Sequence, residues 1–515
     1  MNHPAFPYLT VLVLLPAGGA VAVAALVKVP RVVSEALGIA VSLATLGLAI
    51  AVTVLLHAGD GGFQFVSQHV WAASLGVSWY VGVDGISVFL VLMAAVLFPL
   101  ALTGARSRTD ARTFTAWMLL LEAACIGSFI SLDLVLFFLF FELTLVPSYF
   151  IISGWGFARR TYAAVKFFIY TFLGSAFLLV GIVVLAFVHQ RQSGVLTFSL
   201  PALEHTSFSG ATGVLLFLAF LAAFAVKAPL FPLHTWSPDA YAEAPAGGSM
   251  ILAGVLAKLG TYGIIRFDLN LFPHASRVLA PLLLTLAVIG VLYGALVACA
   301  QNDLKRLVAY SSLAQIGFIA LGTFALSTEG LVGGVLLMVN HGLVTAGFFL
   351  LIGWIYDRRE SWQVSELGGL QTPAPVLAGA FTVVMLASIG LPGLNGFVSE
   401  FLVLAGTFLT HRWWAVAATV GVVGAALYLL WAYQQAFHGT PRPAVAGTRD
   451  LAWNERLVIA PLIVLIVLLG IYPKPVLDRI TPAVTRLIDH VELVSGVHQP
   501  AVATRGAAPS SGGTP

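Results

Sequence analysis

Charge is what this sequence has least of. Only 9% of its 515 residues are Asp, Glu, Lys or Arg, whereas 59% are hydrophobic. A soluble domain carries about 25% charged residues, so the composition excludes a soluble enzyme and predicts a polytopic membrane protein. The net charge of +3 is small. The basic residues form no cluster, so no nucleic-acid partner is expected.

Cysteine is equally scarce, with Cys125 and Cys299 as the two in the chain. Both lie in apolar stretches without metal-ligand spacing, so we expect two small core residues and no iron–sulfur cluster or disulfide framework. No phosphate loop, dinucleotide fingerprint, zinc spacing or nucleophile elbow is present. We therefore expect no catalytic residue, cofactor site or metal site in this chain.

Apolar runs of about 20 residues, the length that crosses a bilayer as a helix, recur along the chain. They predict an all-α polytopic membrane protein with about fourteen transmembrane helices. The runs lie roughly at 8–27, 33–57, 83–104, 113–131, 133–153, 161–187, 211–236, 245–265, 277–300, 304–323, 329–355, 374–409, 413–436 and 455–472. No cleavage site clearly ends the first run, which is therefore interpreted as a membrane helix.

Two runs are interrupted. Pro229 and Pro232 break the run at 211–236, and the stretch 389–393 breaks the overlong run at 374–409. A break in a membrane helix frees backbone groups that lipid cannot satisfy, so it must face protein or a watery cavity. Paired breaks in two halves of a chain are typical of transporter sites between structural repeats.

Lys and Arg are distributed unevenly between the loops. One set of loops holds Lys28, Arg31, Arg106, Arg108, Arg112, Arg159, Arg160, Lys305, Arg306, Arg358, Arg359, Arg442, Arg449 and Arg456. The other set holds only Arg191, Arg266, Arg277 and Arg412. Because Lys and Arg favour cytoplasmic loops, both termini are predicted outside the cytoplasm. The Gly-, Ser-, Ala- and Pro-rich tail at 496–515 is predicted to be disordered.

A few ionisable side chains lie inside the apolar runs, where a charge costs roughly 2.5–3.5 kcal/mol and is a functional-site hypothesis by default. They are Glu122, Glu142, Lys166, Lys227, Lys258, His341 and Glu400. A desolvated lysine gives up its proton readily, whereas arginine does not. Lys227, beside the first break, could therefore work as a proton switch if its pairing with Glu142 changed.

Structural roles stay open for the same residues. Lys227 could form a static ion pair, Lys258 could extend its amine to the membrane surface, and His341 could be an ordinary core histidine. Gln315 could order water or simply pack helices.

The segment after the first break adds candidates for proton uptake from the cytoplasm. These are His234, Asp239 and Glu243, together with Lys305 at the start of a later run. His, Asp and Glu could also ligate a metal, but residues near a membrane surface more often form hydrogen bonds.

The motifs around these residues resemble one family, the antiporter-like subunits of respiratory complex I. They are WYVGVDGIS at 79–87, FFELTLVPSYFIISGWG at 140–156, AAVKFFIYT at 163–171, the stretch 227–266, DLKRLVAYSS at 303–312, NHGL at 340–343 and GLPGLNGFVSEF at 390–401. Several long motifs in the family's order, over roughly 75–475, make the resemblance specific.

The resemblance implies fourteen helices with two inverted five-helix repeats, each containing a broken helix. Helices 1–3 would fill 1–111, the repeats would fill 112–266 and 276–437, and the last helix with its flank would fill 450–495. It also implies a proton-translocating subunit of an NADH:quinone oxidoreductase in a bacterial plasma membrane. Its neighbours would be the L-, N- and K-type membrane-arm subunits. NADH, flavin, iron–sulfur clusters and quinone would belong to partner subunits.

The resemblance also implies roles for single residues. Glu142 and Lys227 match a coupled carboxylate–lysine pair, Lys258 a central lysine, His341 a histidine of a hydrophilic axis and Glu400 an exit-side acid. Glu400 favours one branch of this family, because the subunits of the other branches usually carry lysine at this position.

Two further positions bear on the comparison. Glu122 matches a family carboxylate of the fourth helix. Gln315 stands where many members have histidine, and since glutamine does not titrate, we expect a water chain there.

Three other functions stay open: a subunit of a sodium/proton antiporter, a subunit of a membrane-bound hydrogenase, and a scaffold without proton transport.

Overall fold

A computed structural model describes residues 6–104 and 110–496, and these residues are predominantly helical. The chain begins with helices α1 (Tyr8–Ala25) and α2 (Arg31–Leu55), the antiparallel strands β1 (Gln64–Ala72) and β2 (Val77–Val83), and helix α3 (Val88–Gly104). The sequence predicts only a loop over 58–82, so the hairpin is an addition to the expected fold.

The middle of the chain contains the first broken helix. Its elements are α4 (Ala111–Ile130), α5 (Leu134–Leu143), α6 (Leu145–Trp155), α7 (Arg160–Ser193), α8 (Leu200–Leu203), α9 (Gly210–Lys227), α10 (Ser237–Glu243), α11 (Ala246–Ile251), α12 (Ala257–Gly263) and α13 (Leu269–Leu271). Two π-helical turns, Leu252–Leu256 and Ile264–Asp268, join α11, α12 and α13 into one continuous segment.

The last third contains the second broken helix. Its elements are α14 (Pro273–Cys299), α15 (Leu304–Phe324), α16 (Thr328–Arg359), α17 (Pro375–Ser388), α18 (Asn395–Phe437), α19 (Trp453–Ile471) and α20 (Lys474–Ser495). Helix α18 bends at His411, which has non-helical backbone angles. Helix α20 lies beyond the last run that the sequence predicts to cross the membrane.

Within the described residues, twelve helical segments are long and apolar enough to span a membrane, and α3 and α17 are shorter apolar helices. Helices occupy every one of the predicted runs. The helical membrane fold is therefore confirmed, while the number of crossings and the limits of the two repeats stay predictions. Arg106, Arg108 and residues 497–515, the bulk of the predicted tail, lie outside the described residues.

Two aspartates mark the two ends of the bundle. Asp133 caps α5 and forms an isolated β-bridge with Ser199, whereas Asp303 caps α15 and bridges Gln363. Burial raises the pKa of both carboxyls, and the backbone N–H groups that they accept act in the opposite direction. We call the end with Asp133, the hairpin and α20 the hairpin face, and the end with Asp303 and α10 the opposite face.

The core is centred on two segments, Ala246–Leu271 and α16, whose most apolar windows are entirely buried. Cys125 is buried as expected, but Cys299 at the end of α14 is exposed, so only one cysteine belongs to the core. Arg266 was expected in a loop. It instead lies buried within the helical segment, because Asp84 neutralises it.

Candidate functional site

The first break is built by two prolines that cannot donate backbone hydrogen bonds. Helix α9 ends at Lys227, and the Ala225 carbonyl, left without a donor by Pro229, accepts from Leu230 N at 2.9 Å. The Val226 carbonyl accepts instead from the indole N–H of Trp236 at 2.8 Å. Protein groups therefore satisfy the break, as membrane burial requires.

Lys227 lies at this break and is only 2% exposed. Its Nζ donates to Thr144 Oγ1 at 2.8 Å and lies 4.6 Å from the centroid of the Phe141 ring. Thr144 stands where α5 gives way to α6, because Pro147 has no N–H to donate to the Leu143 carbonyl.

Glu142 does not form the expected direct pair with Lys227. No ion pair between the two occurs among the described residues, and Glu142 is half-buried. In this arrangement the hydroxyl of Thr144 takes the place that the carboxylate was expected to fill.

Lys258 and His341 are in direct contact at the centre of the molecule. Lys258 Nζ lies 2.6 Å from His341 Nδ1 and also donates to the Ala253 carbonyl at 2.6 Å. Ala253 belongs to the π-helical turn that precedes α12, and such turns widen a helix. Both side chains are buried, so a proton can pass between the two nitrogens without leaving the protein.

The residue before His341 on α16, Asn340, contacts the start of α18 just beyond the second break. Asn340 Nδ2 donates to the Asn395 carbonyl at 2.8 Å and to Ser399 Oγ at 3.1 Å. Asn395 Nδ2 donates to Asn340 Oδ1 at 3.2 Å. These bonds fix the start of α18 against the helix that carries His341.

Glu400 follows this amide network on α18. It is 6% exposed, and its Oε1 accepts from Gln315 Nε2 at 2.8 Å. Gly390 has φ +79°, and a Cβ there would lie 2.6 Å from Glu400 Oε2. The glycine therefore provides both the turn and the room for the carboxylate. Gln315 Oε1 is buried without a partner among the described residues.

A second charged cluster lies at the opposite face. Asp239 Oδ2 lies 2.8 Å from Lys166 Nζ, and Asp239 Oδ1 lies 3.5 Å from Arg306 Nη2. His234 is buried between the rings of Phe231 and Tyr293. Of the candidates for proton uptake, Asp239 is the one with two cationic neighbours.

Backbone groups hold the other two uptake candidates. Glu243 Oε2 accepts from the backbone N–H of Arg159 at 2.8 Å. Lys305 Nζ donates to the carbonyls of Ala242 and Ala244 at 2.9 and 2.5 Å. Lys305 is only 3% exposed, so this arrangement anchors α10 to the start of α15.

Glu122 is separated from these contacts. It is completely buried on α4, where Ser42 Oγ of α2 donates to its Oε1 at 3.0 Å, and its Oε2 has no partner within the described part of the chain. The structure thus brings Lys258 to His341 and Gln315 to Glu400, but places Glu122 against the N-terminal helices.

Sequence reasoning missed three polar features. Arg266 pairs with Asp84 at 2.6 Å, Thr144 is the partner of Lys227, and Asp268 is a buried acid whose two carboxylate oxygens have no partner among residues 6–104 and 110–496. The apolar residues on both sides of Arg266 and Asp268 were a usable signal that the helix continues to Leu271. In the same described ranges, no group of three or more His, Cys, Asp or Glu residues is placed to hold a metal ion.

Comparisons with known proteins identify the same family that the sequence motifs resemble. A family profile described as NADH:quinone oxidoreductase/Mrp antiporter, TM matches residues 131–427. NADH-quinone oxidoreductase subunit M of Mycobacterium tuberculosis is 40% identical, with 98% of each chain covered.

Solved structures share the fold. A chain of respiratory complex I from Thermus thermophilus with bound NADH has a TM-score of 0.86 and 33% identity, covering 94% of this chain and 99% of its own. A chain of the Mrp complex from Dietzia sp. DQ12-45-1b has a TM-score of 0.82 over 95% of this chain and 99% of its own. Its identity of 23% shows a common fold only.

Proposed function

Since this chain belongs to the family of membrane subunits that NADH:quinone oxidoreductases share with Mrp antiporters, we propose that it is the subunit M type proton-translocating component of an NADH:quinone oxidoreductase. Quinone reduction elsewhere in the complex would drive proton transfer through its buried polar residues. The chain is then one membrane subunit of a larger respiratory enzyme.

The contact between Lys258 and His341 is the single observation that carries this proposal. Two titratable nitrogens 2.6 Å apart lie on the two most buried segments of the bundle, where an ionisable side chain is costly without a function. Buried ions are also poor stabilisers, which argues against a scaffold without proton transport.

A path follows from the positions of the other residues. Protons would be taken up at the opposite face, which the distribution of Lys and Arg predicts to be cytoplasmic, near His234, Asp239, Glu243 and Lys305. They would pass Lys227 to Lys258 and His341, and then reach Glu400 along the Asn340 and Gln315 amides. Glu142 would act by exchanging with Thr144 as the partner of Lys227.

The chain's own chemistry would be limited to proton transfer. We propose that it has no redox centre, that NADH, flavin, iron–sulfur clusters and quinone bind to partner subunits, and that L-, N- and K-type subunits are its membrane-arm neighbours. We also propose that both termini lie on the extracytoplasmic side of a bacterial plasma membrane.

The proposal is tested with the assembled complex in closed membrane vesicles. NADH oxidation and acidification of the vesicle interior are measured together for Lys227→Met, which keeps the length of the side chain and removes its charge. We expect the rate of NADH-driven proton movement per assembled complex to fall by roughly tenfold or more. Lys474→Met, at an exposed position of α20, is the matched control and should leave that rate unchanged.

An unchanged rate of NADH-driven proton movement in Lys227→Met, with a normally assembled complex, would overturn the proposal. The family also includes Mrp antiporter subunits, and the fold is shared with the Dietzia Mrp complex. Sodium-dependent proton exchange by the chain's native complex without NADH would therefore favour the antiporter function.

A further inference from the structure

The two broken helices share one backbone pattern. In the first break the donors are Ala228 N, Leu230 N and Leu233 N, and the acceptors are the carbonyls of Phe224, Ala225 and Leu230. In the second break the donors are Ile389 N, Leu391 N and Leu394 N, and the acceptors are the carbonyls of Met385, Leu386 and Leu391. Because the spacings are the same, residues 224–233 correspond one for one to residues 385–394.

The correspondence extends beyond the turns to an acid in each repeat. Asp239 lies six residues after Leu233, and Glu400 lies six residues after Leu394. Between them, aromatic Trp236 corresponds to aromatic Phe397. Asp239 therefore occupies in the first broken helix the position that Glu400 occupies in the second.

The two broken helices start from opposite ends of the bundle. The start of α9, at Gly210, lines a cavity of about 670 Å³ together with His490 of α20, so it lies at the hairpin face. The first N–H groups of α17 donate to Asp450, next to Arg358 near the end of α16, so α17 starts at the opposite face. Asp239 consequently lies towards the opposite face, and Glu400 lies beyond its break in the direction of the hairpin face.

Helix α15 provides a partner for both acids. Arg306, at its start, faces Asp239, and Gln315, near its middle, binds Glu400. The neighbours nevertheless differ in charge, since Asp239 contacts two cations and Glu400 contacts an amide. The Asp239 side chain is 18% exposed, which gives its carboxylate access to water.

We propose that Asp239 is the first repeat's counterpart of Glu400, the carboxylate through which this repeat exchanges protons with the opposite face. The inference deepens the proposed function and rests on it. The step is a simple proton transfer. When Lys166 moves away, one Asp239 oxygen accepts a proton from a hydronium ion at the opposite face, which leaves a neutral water. It then releases the proton to a water on the side of the bundle interior, which becomes hydronium. Lys166 closes the path again by re-forming the ion pair.

The test compares two substitutions at one position in the assembled complex. Asp239→Asn keeps the size of the side chain but cannot titrate, and Asp239→Glu keeps the titrating group. We expect Asp239→Asn to lower the rate of NADH-driven proton movement per assembled complex by roughly tenfold or more, and Asp239→Glu to keep more than half of the wild-type rate. Asp478→Asn, which removes an exposed carboxylate paired with Lys474 on α20, is the control that should keep the wild-type rate.

Two results would overturn the inference. A wild-type rate of proton movement in Asp239→Asn would show that this carboxylate does not carry protons. Equal losses in Asp239→Asn and Asp239→Glu, with normal assembly, would show that the pair with Lys166 is only structural. Lys227→Met separates the two proposals. If that variant loses pumping while Asp239→Asn does not, this inference fails and the proposed function stands.

Discussion

Lys258 Nζ and His341 Nδ1 lie 2.6 Å apart, and the second ring nitrogen of His341 is buried without a partner among the described residues. Lysine can only pass its proton to a neighbour that accepts it, and this histidine is the side chain placed to do so. The pair therefore forms the link between the two halves of the bundle.

Replacement of His341 should interrupt that link. We expect His341→Gln, which keeps a polar group near Lys258 but does not titrate, to reduce NADH-driven proton movement by roughly 10²-fold, the lower end of what a positioned proton-transfer group contributes. The measurement is the rate of proton movement per assembled complex in closed vesicles. Thr323→Val removes a buried hydroxyl that donates to the Ile319 carbonyl of its own helix, and should lower that rate much less. Similar losses in both variants would contradict a special role for the histidine.

Gly390 should be intolerant of a side chain because of Glu400. Gly390→Ala places a Cβ 2.6 Å from Glu400 Oε2 at a residue with φ +79°. Gly393→Ala is a matched control, because Gly393 has φ +93° and a Cβ there meets nothing within 4 Å. Both variants carry the backbone cost of a non-glycine residue with positive φ, of order 1–3 kcal/mol. Only Gly390→Ala should also impair pumping, measured per assembled complex, and equal behaviour of the two would show that Glu400 does not need that space.

Arg266 and Asp84 should stabilise the subunit only as a pair. Removal of one partner of a buried ion pair costs about 3–5 kcal/mol, because the other charge is left uncompensated. We therefore expect Arg266→Met to lower the thermal midpoint of the purified complex and the amount of this subunit retained in it. Arg266→Met combined with Asp84→Asn should recover part of the loss. A double variant no more stable than the single one would argue against the pairing.

Structural features that depend on residues adjacent in the chain could be predicted from the sequence. Pro229 and Pro232 mark the first break and the stretch 389–393 marks the second, because proline and glycine act on the backbone where they stand. The family resemblance and the helical membrane fold are confirmed for the same reason, since apolar runs and long motifs are local properties.

Contacts between distant segments could not be predicted in this way. The partner of Arg266 is Asp84, 182 residues away, and the bond between Lys227 and Thr144 joins helices 83 residues apart. The hairpin was missed because β1 pairs with β2 at the end of the bundle, where apolar and polar residues mix. Which carboxylates contact which lysines depends on helix packing, and the packing leaves no pattern in one sequence.

The indole of Trp236 has a mechanical consequence for the first break. In the first break, the Val226 carbonyl accepts a hydrogen bond from the indole N–H of Trp236, ten residues further along the chain. In the second break, the corresponding Ala387 carbonyl accepts from the backbone N–H of Gly390 at 3.2 Å. The first break therefore cannot change shape without moving Trp236, and with it α10. In the second break the equivalent bond lies within the turn itself, and the Asn340 and Asn395 amides hold the start of α18. The same turn is thus tied to a distant side chain in the first repeat and to its own backbone in the second.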